Sequence, residues 1–347
     1  MIRFPTTANA AADLVGLFRE GLKQSRLQAG ETAIIYCDTL TNPNYPAAFL
    51  AAAKDLGAVA FQIVQPAIPA ETGQGPGRAK PSPLIGEAMK SADLVVDVSI
   101  GGMLYSMDQD AILAAKTRIL RVREPDDCLL RLFPNEDVRA RSRRGGERLA
   151  AARRIRITSP EGTDLVMDKA DRRIHLQYGM AEEPGRWDHW PTGMVCTTPV
   201  EDTVEGTLVV GRASLIFPFE RYVAEPMTLK FQKGVVTSIE GGADAITLRE
   251  YLWSSAETNR RRLAHVGWGT DHRARWDVLS FRGADGGGGA EARSIYGGVL
   301  LALGENRDLG GQNAASVHCD IALRRARMEL DGVAVVEDGR ILDPALA

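Results

Sequence analysis

A chain of 347 residues and 37.6 kDa exceeds what one hydrophobic core ordinarily spans, so two domains are expected and a single small module is excluded. With 44% apolar and 25% charged residues it has material for buried cores, and a net charge of -3 supplies no global field to attract nucleic acid or anionic lipid. The four cysteines, Cys37, Cys128, Cys196 and Cys319, form no C-x-x-C pair, which excludes a zinc knuckle and a dithiol redox motif and fits a reduced cytoplasmic setting. Asp13 and Arg19 interrupt any signal-peptide core, and no apolar run approaches the roughly 20 residues of a membrane helix.

From the N-terminus, Thr7 can cap a helix running to Gln28, with Leu14, Val15, Phe18 and Leu22 on one face. A buried strand is expected at Thr32 to Cys37, then a helix at Ala47 to Leu56, a strand at Val59 to Val64, a helix at Ile85 to Ala92 and a strand at Leu94 to Val98. A helix at Met107 to Ala115 and a strand at Ile119 to Val122 complete the series. This alternation defines an α/β class, a doubly wound parallel-sheet domain over residues 1–150. The Pro/Gly-rich stretch Pro66 to Pro83 is long for such a connection and reads as a lid loop. The arginines from Arg139 to Arg156, partly offset by Glu136, Asp137 and Glu147 and without interleaved aromatics, read as a solvated helix face.

Residues 151–347 change texture to a mixed, strand-rich α+β domain. Strands are expected at Ile155 to Thr158, Ile174 to Tyr178, Gly206 to Val210, Met227 to Phe231 and Val235 to Ile239, with turns at Glu161-Gly162 and Gly241-Gly242. One helix, Ala245 to Ser254, interrupts them, and apolar strand-like runs follow at Ala264 to Trp268, Val299 to Leu303 and Ala314 to Leu323. Gly286 to Gly289 reads as a loop.

All five histidines lie in this second part. In Ser316-Val317-His318-Cys319-Asp320-Ile321, strand alternation points His318 and Asp320 to one face and Cys319 to the other. Adding one distant histidine gives the two-His-one-carboxylate facial set that holds Fe(II) with positions open for substrate and O2, although a lone H-x-D also suits a hydrogen-bonded surface pair. His265, alternating with Ala264 and Val266 before Gly267-Trp268-Gly269, is the candidate third ligand. His272, flanked by Asp271 and Arg273 after a turn, reads as solvated, and His175 as a core or edge residue. The run Glu182 to Pro191 offers Trp187, His189 and Trp190 either as an aromatic wall with one proton-handling group or as packing between domains.

At these residues the chain resembles the 2,5-dihydroxypyridine 5,6-dioxygenase family, itself related in fold to metallo-aminopeptidases of the aminopeptidase T type. The similar stretches are Tyr178-Gly179 with Glu183-Pro184-Gly185-Arg186-Trp187-Asp188-His189-Trp190-Pro191, then His265-Val266-Gly267-Trp268-Gly269, and His318-Cys319-Asp320-Ile321 with Leu323-Arg324-Arg325. Weaker similarity, as at Ala92 to Asp97, covers nearly the whole chain. The resemblance implies iron ligands at His265, His318 and Asp320, with the second domain catalytic. Where it implies a histidine serving as base, this chain has Tyr105, and where it implies a glutamate lining the pocket, it has Gln177.

What the resemblance implies chemically is an Fe(II)-dependent, extradiol-like ring opening. O2 enters between carbons 5 and 6 of 2,5-dihydroxypyridine, or a close N-heterocyclic or aromatic diol, giving N-formylmaleamate. The two hydroxyls are para and cannot chelate the iron, so pocket residues must fix orientation, a role assigned to Leu104, Gln177 and Trp190. His189 is the expected proton acceptor because histidine titrates near 6.5 against about 10 for tyrosine, leaving Tyr105 as a hydrogen-bond donor. The alternatives are a metal-dependent hydrolase using the same ligands to activate water and a non-catalytic assembly module. The expected partners are the small substrate and O2, with no nucleic acid and no membrane, and self-association into a homo-oligomer.

Overall fold

The computed structural model describes residues 8–67, 82–100, 107–217, 219, 221–277 and 290–346. Residues 68–81 of the expected lid loop, the Gly286 to Gly289 run, and Leu104 and Tyr105 lie outside them. Two compact units are present.

Among described residues, the first unit comprises 8–135 and 178–192. Its five-stranded sheet is parallel throughout, in spatial order Val59–Gln65, Thr32–Asp38, Leu94–Asp97, Arg118–Val122 and Trp187–Trp190. The inner strands are buried along nearly their whole length, as continuous apolar runs covered on both faces must be. The expected doubly wound elements are all present, with boundaries moved by a few residues. Helix Asn44–Asp55 starts three residues before the expected Ala47, because Pro46 sits in the first turn, where its missing N–H breaks no bond. Phe18 of helix Ala8–Gln24 stacks on Phe49 of that helix, with ring centroids 3.8 Å apart.

The fifth strand corrects the domain reading, which gave residues 178–192 to the second domain. Trp187–Trp190 pairs with Arg118–Val122, from Ile119 opposite Trp187 to Val122 opposite Trp190. Trp190 is wholly buried between Phe18 and Phe133, donates from Nε1 to the Leu129 carbonyl at 3.1 Å, and lies so close to Gly21 that a Cβ there would fall 2.5 Å from its ring. It therefore fills a core rather than walling a pocket. A four-residue buried strand carries too short a period to be told from a loop by pattern alone.

The second unit comprises 136–177, 193–217, 219, 221–277 and 290–346 of the described residues. Two antiparallel sheets of eight and seven strands share one apolar core. The seven-stranded sheet runs Arg221–Tyr222, Leu215–Ile216, His318–Leu323, Val299–Gly304, Leu263–Gly269, Met194–Thr197 and Ile174–Gln177. Helix Glu136–Ala151, expected in the first domain, packs here because consecutive glycines let it sit directly on this sheet. A Cβ on Gly145 would meet Trp268 and Val195, and one on Gly146 would meet Leu176. The boundary accordingly falls at Asn135, not residue 150. The arginine cluster is only partly solvated, since Arg141 donates to the Thr270 carbonyl at 2.7 Å and lies over the Tyr296 ring. Strands Asp164–Asp168, Met194–Thr197, Arg327–Leu330 and Val333–Glu337 went unread, the first because only Leu165 and Met167 of its five residues are buried. No helix among the described residues is long and apolar enough to cross a membrane.

Candidate metal centre

The sheet register of the second unit determines which side chains can meet. Asp320 and His265 both lie opposite Ala302 of the intervening strand, and His318 lies opposite Gly304. Directly opposed residues share a face, so His265, Ala302 and Asp320 form one row across three strands, with His318 two residues along from Asp320. Ala302 holds the middle of the row with a single methyl, and the two longer side chains lean toward each other across it.

The resulting cluster is tight. His265 Nε2 lies 3.0 Å from Asp320 Oδ1 and 3.3 Å from His318 Nε2, and His318 Nε2 lies 3.4 Å from the same carboxylate oxygen. Among the described residues these three form the only group of ligand-type side chains placed to hold a metal ion, with their ligand atoms all within 4.8 Å of one another. Cys319 points the opposite way, as alternation requires, and its Sγ donates to the Phe217 carbonyl at 2.7 Å.

The protonation chemistry suits metal binding, which needs neutral imidazoles and an ionised carboxylate. Burial lowers the pKa of His265 against the pull of Asp320, which favours the neutral ring. Burial alone would raise the carboxyl of Asp320, but the imidazoles of His318 and His265 hold it well below the usual carboxylate range. His318 Nδ1 lies 2.8 Å from the Glu305 carbonyl, which can only accept, so Nδ1 donates and Nε2 is the nitrogen that faces the cluster. Arg293 Nη1 stands 3.5 Å from Asp320 Oδ2, the carboxylate oxygen away from the imidazoles, and favours one-oxygen ligation. Burial pushes the neighbouring Cys196 thiol up, so it stays protonated and packs with Met194 and Leu300 as apolar lining.

The other sequence candidates fall in different places. Gln177 is buried at the end of the sheet's edge strand, opposite Met194, which is itself opposite Gly269. This puts it on the face of the triad, two strands from the His265 strand. His272 is exposed, as expected, while His175 is buried on the edge strand opposite Cys196. His189 belongs to the first unit, buried on its fifth strand opposite Arg121, with its backbone N–H donating to Asp188 Oδ1 at 2.7 Å. Sequence reasoning missed Arg293, Glu305 and Asn306. Arg293 sits in a five-residue 3-10 turn whose sequence has no period, and the other two lie in an irregular connection.

Two imidazoles and one carboxylate converging on a buried sheet face are the donor set of mononuclear non-haem metalloenzymes. The family model for 2,5-dihydroxypyridine 5,6-dioxygenase matches residues 13–343, and this chain belongs to that dioxygenase family. The 2,5-dihydroxypyridine 5,6-dioxygenase of Pseudomonas putida KT2440 is 34% identical over 341 residues, covering 96% of this chain and 97% of its own. The solved structure of the 2,5-dihydroxypyridine dioxygenase from the same organism superposes with a TM-score of 0.91 at 33% identity, covering 99% of both chains. AmpT from Thermus thermophilus shares the fold at 17% identity, with a TM-score of 0.63 over 95% of this chain and 99% of that one.

Proposed function

We propose that this chain is an Fe(II)-dependent dioxygenase that opens the ring of 2,5-dihydroxypyridine, or a close N-heterocyclic diol, to N-formylmaleamate. The observation that carries the reading is the convergence of His265, His318 and Asp320 in a chain of this family. These three residues would hold the iron. Their N/O donors also suit Zn2+; the reading takes iron because a reaction with O2 calls for a redox-active ion and a two-His-one-carboxylate set suits Fe(II). When bound, Fe(II) supplies the redox centre through which O2 reacts with an electron-rich ring.

The chain's own residues do the rest. With both imidazoles neutral, as ligation requires, and the carboxylate ionised, the donor set would carry one negative charge and would leave a divalent ion net positive. A net positive centre favours an anionic, deprotonated diol over the neutral one. Arg293 adds a second cation at the other carboxylate oxygen and, in this reading, holds Asp320 to one-oxygen ligation. Met194, Cys196 and Leu300 form an apolar cluster on this sheet that keeps the dielectric low. Gln177 is assigned to orientation of the ring through its neutral amide. The proton acceptor is assigned to His189 on the reference titration of imidazole, with Tyr105 as a hydrogen-bond donor and Leu104 as a further orienting residue. Under this assignment His189→Ala lowers turnover far more than Tyr105→Phe while both retain metal. The reverse order would hand the role to Tyr105.

A hydrolase could use the same three ligands to activate water, and the match to the dioxygenase family favours the ring-opening reading over it. Oxygen uptake by anaerobically iron-loaded protein given 2,5-dihydroxypyridine tests the function; hydrolysis of peptides with no oxygen uptake would overturn it. The chain is further proposed to self-associate. Strand Val59–Gln65 is a sheet edge with Val59, Phe61 and Val64 about half exposed, and light scattering at the 37.6 kDa monomer mass would contradict this.

A further inference from the structure

The two histidines of the triad are oriented by different means. His318 is fixed by the bond from Nδ1 to the Glu305 carbonyl, the usual way a ligating imidazole is aimed. His265 has no such bond, because its Nδ1 is buried and makes no hydrogen bond. Its direction must come from the backbone.

The backbone is irregular at this point. Leu263 lies opposite Leu303, but His265, not Ala264, lies opposite Ala302, so Ala264 is an extra residue that forms a β-bulge. Leu263 and Val266 both point into the core, with Leu303 and Leu301 as their partners. In a regular ladder His265 would fall opposite Leu301 and face that core. The bulge is what turns it to the face of Asp320 and His318, at the cost of leaving the polar groups of the inserted residue outside the regular ladder.

Asn306 takes up that orphan. Its Nδ2 donates to the Ala264 carbonyl at 3.0 Å, from a side chain that is wholly buried. The amide is itself held, since Oδ1 accepts the Asn313 N–H at 2.8 Å and the backbone N–H donates to the Asn313 carbonyl at 3.1 Å. Gly311 lies flush against it, so that a Cβ at Gly311 would fall 2.2 Å from the amide. Asn313 in turn donates to the Gly304 carbonyl and to the Asn259 carbonyl. The neighbouring Glu305 carboxylate accepts the N–H groups of Arg307 and Ala315 at 3.0 and 2.8 Å, which steadies the residue whose carbonyl receives His318.

We propose that Asn306 is a positioning residue of the metal centre, fixing the bulge at Ala264 and through it the direction of His265. The same short connection thus aims both imidazoles, His318 through the Glu305 carbonyl and His265 through the Asn306 amide. The inference rests on the metal-centre reading and adds a determinant two steps from a ligand, through Ala264 to His265.

Its test uses the full-length apo protein, with Co(II) as probe, read by chelator-competition affinity and by the d–d absorption spectrum. Asn306→Asp keeps the shape and the acceptor for the Asn313 N–H but sets a carboxylate oxygen against the Ala264 carbonyl. Co(II) affinity is expected to fall about 10- to 100-fold with a changed spectrum, the usual cost of losing an outer contact to a ligand. Gly311→Ala, which displaces the amide without removing a polar group, is expected to shift both readouts the same way and decides the matter if Asn306→Asp does not fold. Leu330→Ala, a cavity in the other sheet of the unit, lowers the melting temperature and should leave Co(II) affinity unchanged. Wild-type affinity and spectrum in both connection variants, or an equal loss in Leu330→Ala, would overturn the inference. Absence of Co(II) binding by the wild type would instead overturn the metal-centre reading beneath it.

Discussion

The first unit and the second each bury a cluster of ionisable groups drawn from the segments that stand out in the sequence, and the two clusters are built on opposite principles. In the first unit, Arg186 Nη2 lies 2.5 Å from Asp188 Oδ2, its Nε donates to the Met180 carbonyl and its guanidinium covers the Tyr178 ring. Tyr178 donates to Glu182 at 2.8 Å, and Asp188 also accepts the backbone N–H groups of Tyr178, Met180 and His189. Burial pushes the Asp188 carboxyl up, and Arg186 with these amides pulls it back. The cluster is laced together by these hydrogen bonds. In the second unit, two imidazole nitrogens and a carboxylate oxygen converge on one point, an arrangement that could hold a metal ion. The comparison teaches that unusual residues in a motif carry framework when their donors and acceptors are spent on one another and chemistry when several ligand-type atoms converge on one point.

The sharpest way to break the comparison is to remove one ligand. Asp320→Ala, His318→Ala or His265→Ala should each release the metal and reduce turnover to background, by more than the roughly 100-fold that outer contacts cost, while circular dichroism stays native. Wild-type metal content in any of them would refute the assignment of that residue. Opening the cluster of the first unit should do the converse. Arg186→Met leaves Asp188 and Glu182 buried beside an apolar side chain and should cost about 3 to 5 kcal/mol in denaturant unfolding, with metal per folded chain unchanged. A smaller perturbation probes the space between the ligands. Ala302→Leu would fill the gap across which His265 and Asp320 meet, costing about 1 to 3 kcal/mol of stability and most of the metal affinity by calorimetric titration. The smallest effect belongs to His272→Ala, an exposed position where stability should change by less than about 0.5 kcal/mol and metal content not at all.

The parts of this arrangement legible in the sequence are those set by local period. Alternation alone put His318 and Asp320 on one face and Cys319 on the other, and continuous apolar runs such as Ile34 to Cys37 marked the parallel sheet. The choice of His265 from five histidines rested on its apolar neighbours and on the family resemblance, because a bulge has no local signature. Had the strand been regular, the same alternation would have turned His265 away from its partners. Trp187 to Trp190 was read as a wall or a packing plug and proved to be a strand, since partners nearly seventy residues upstream, Ile119 to Val122, decide its structure. Helix Glu136–Ala151 was given to the wrong unit because the reason for its place, two glycines against Trp268, Val195 and Leu176, exists only in three dimensions.

The central claim is that the second unit holds one redox-active metal ion on His265, His318 and Asp320 and uses it with O2. Its most direct test is a single preparation, loaded with Fe(II) under anaerobic conditions, assayed for metal per chain and then for oxygen uptake and product on addition of 2,5-dihydroxypyridine. The account predicts one iron per chain, one O2 consumed per substrate and N-formylmaleamate as product, all three absent in Asp320→Ala. Two metals per chain, or oxygen uptake that persists in Asp320→Ala, would contradict it.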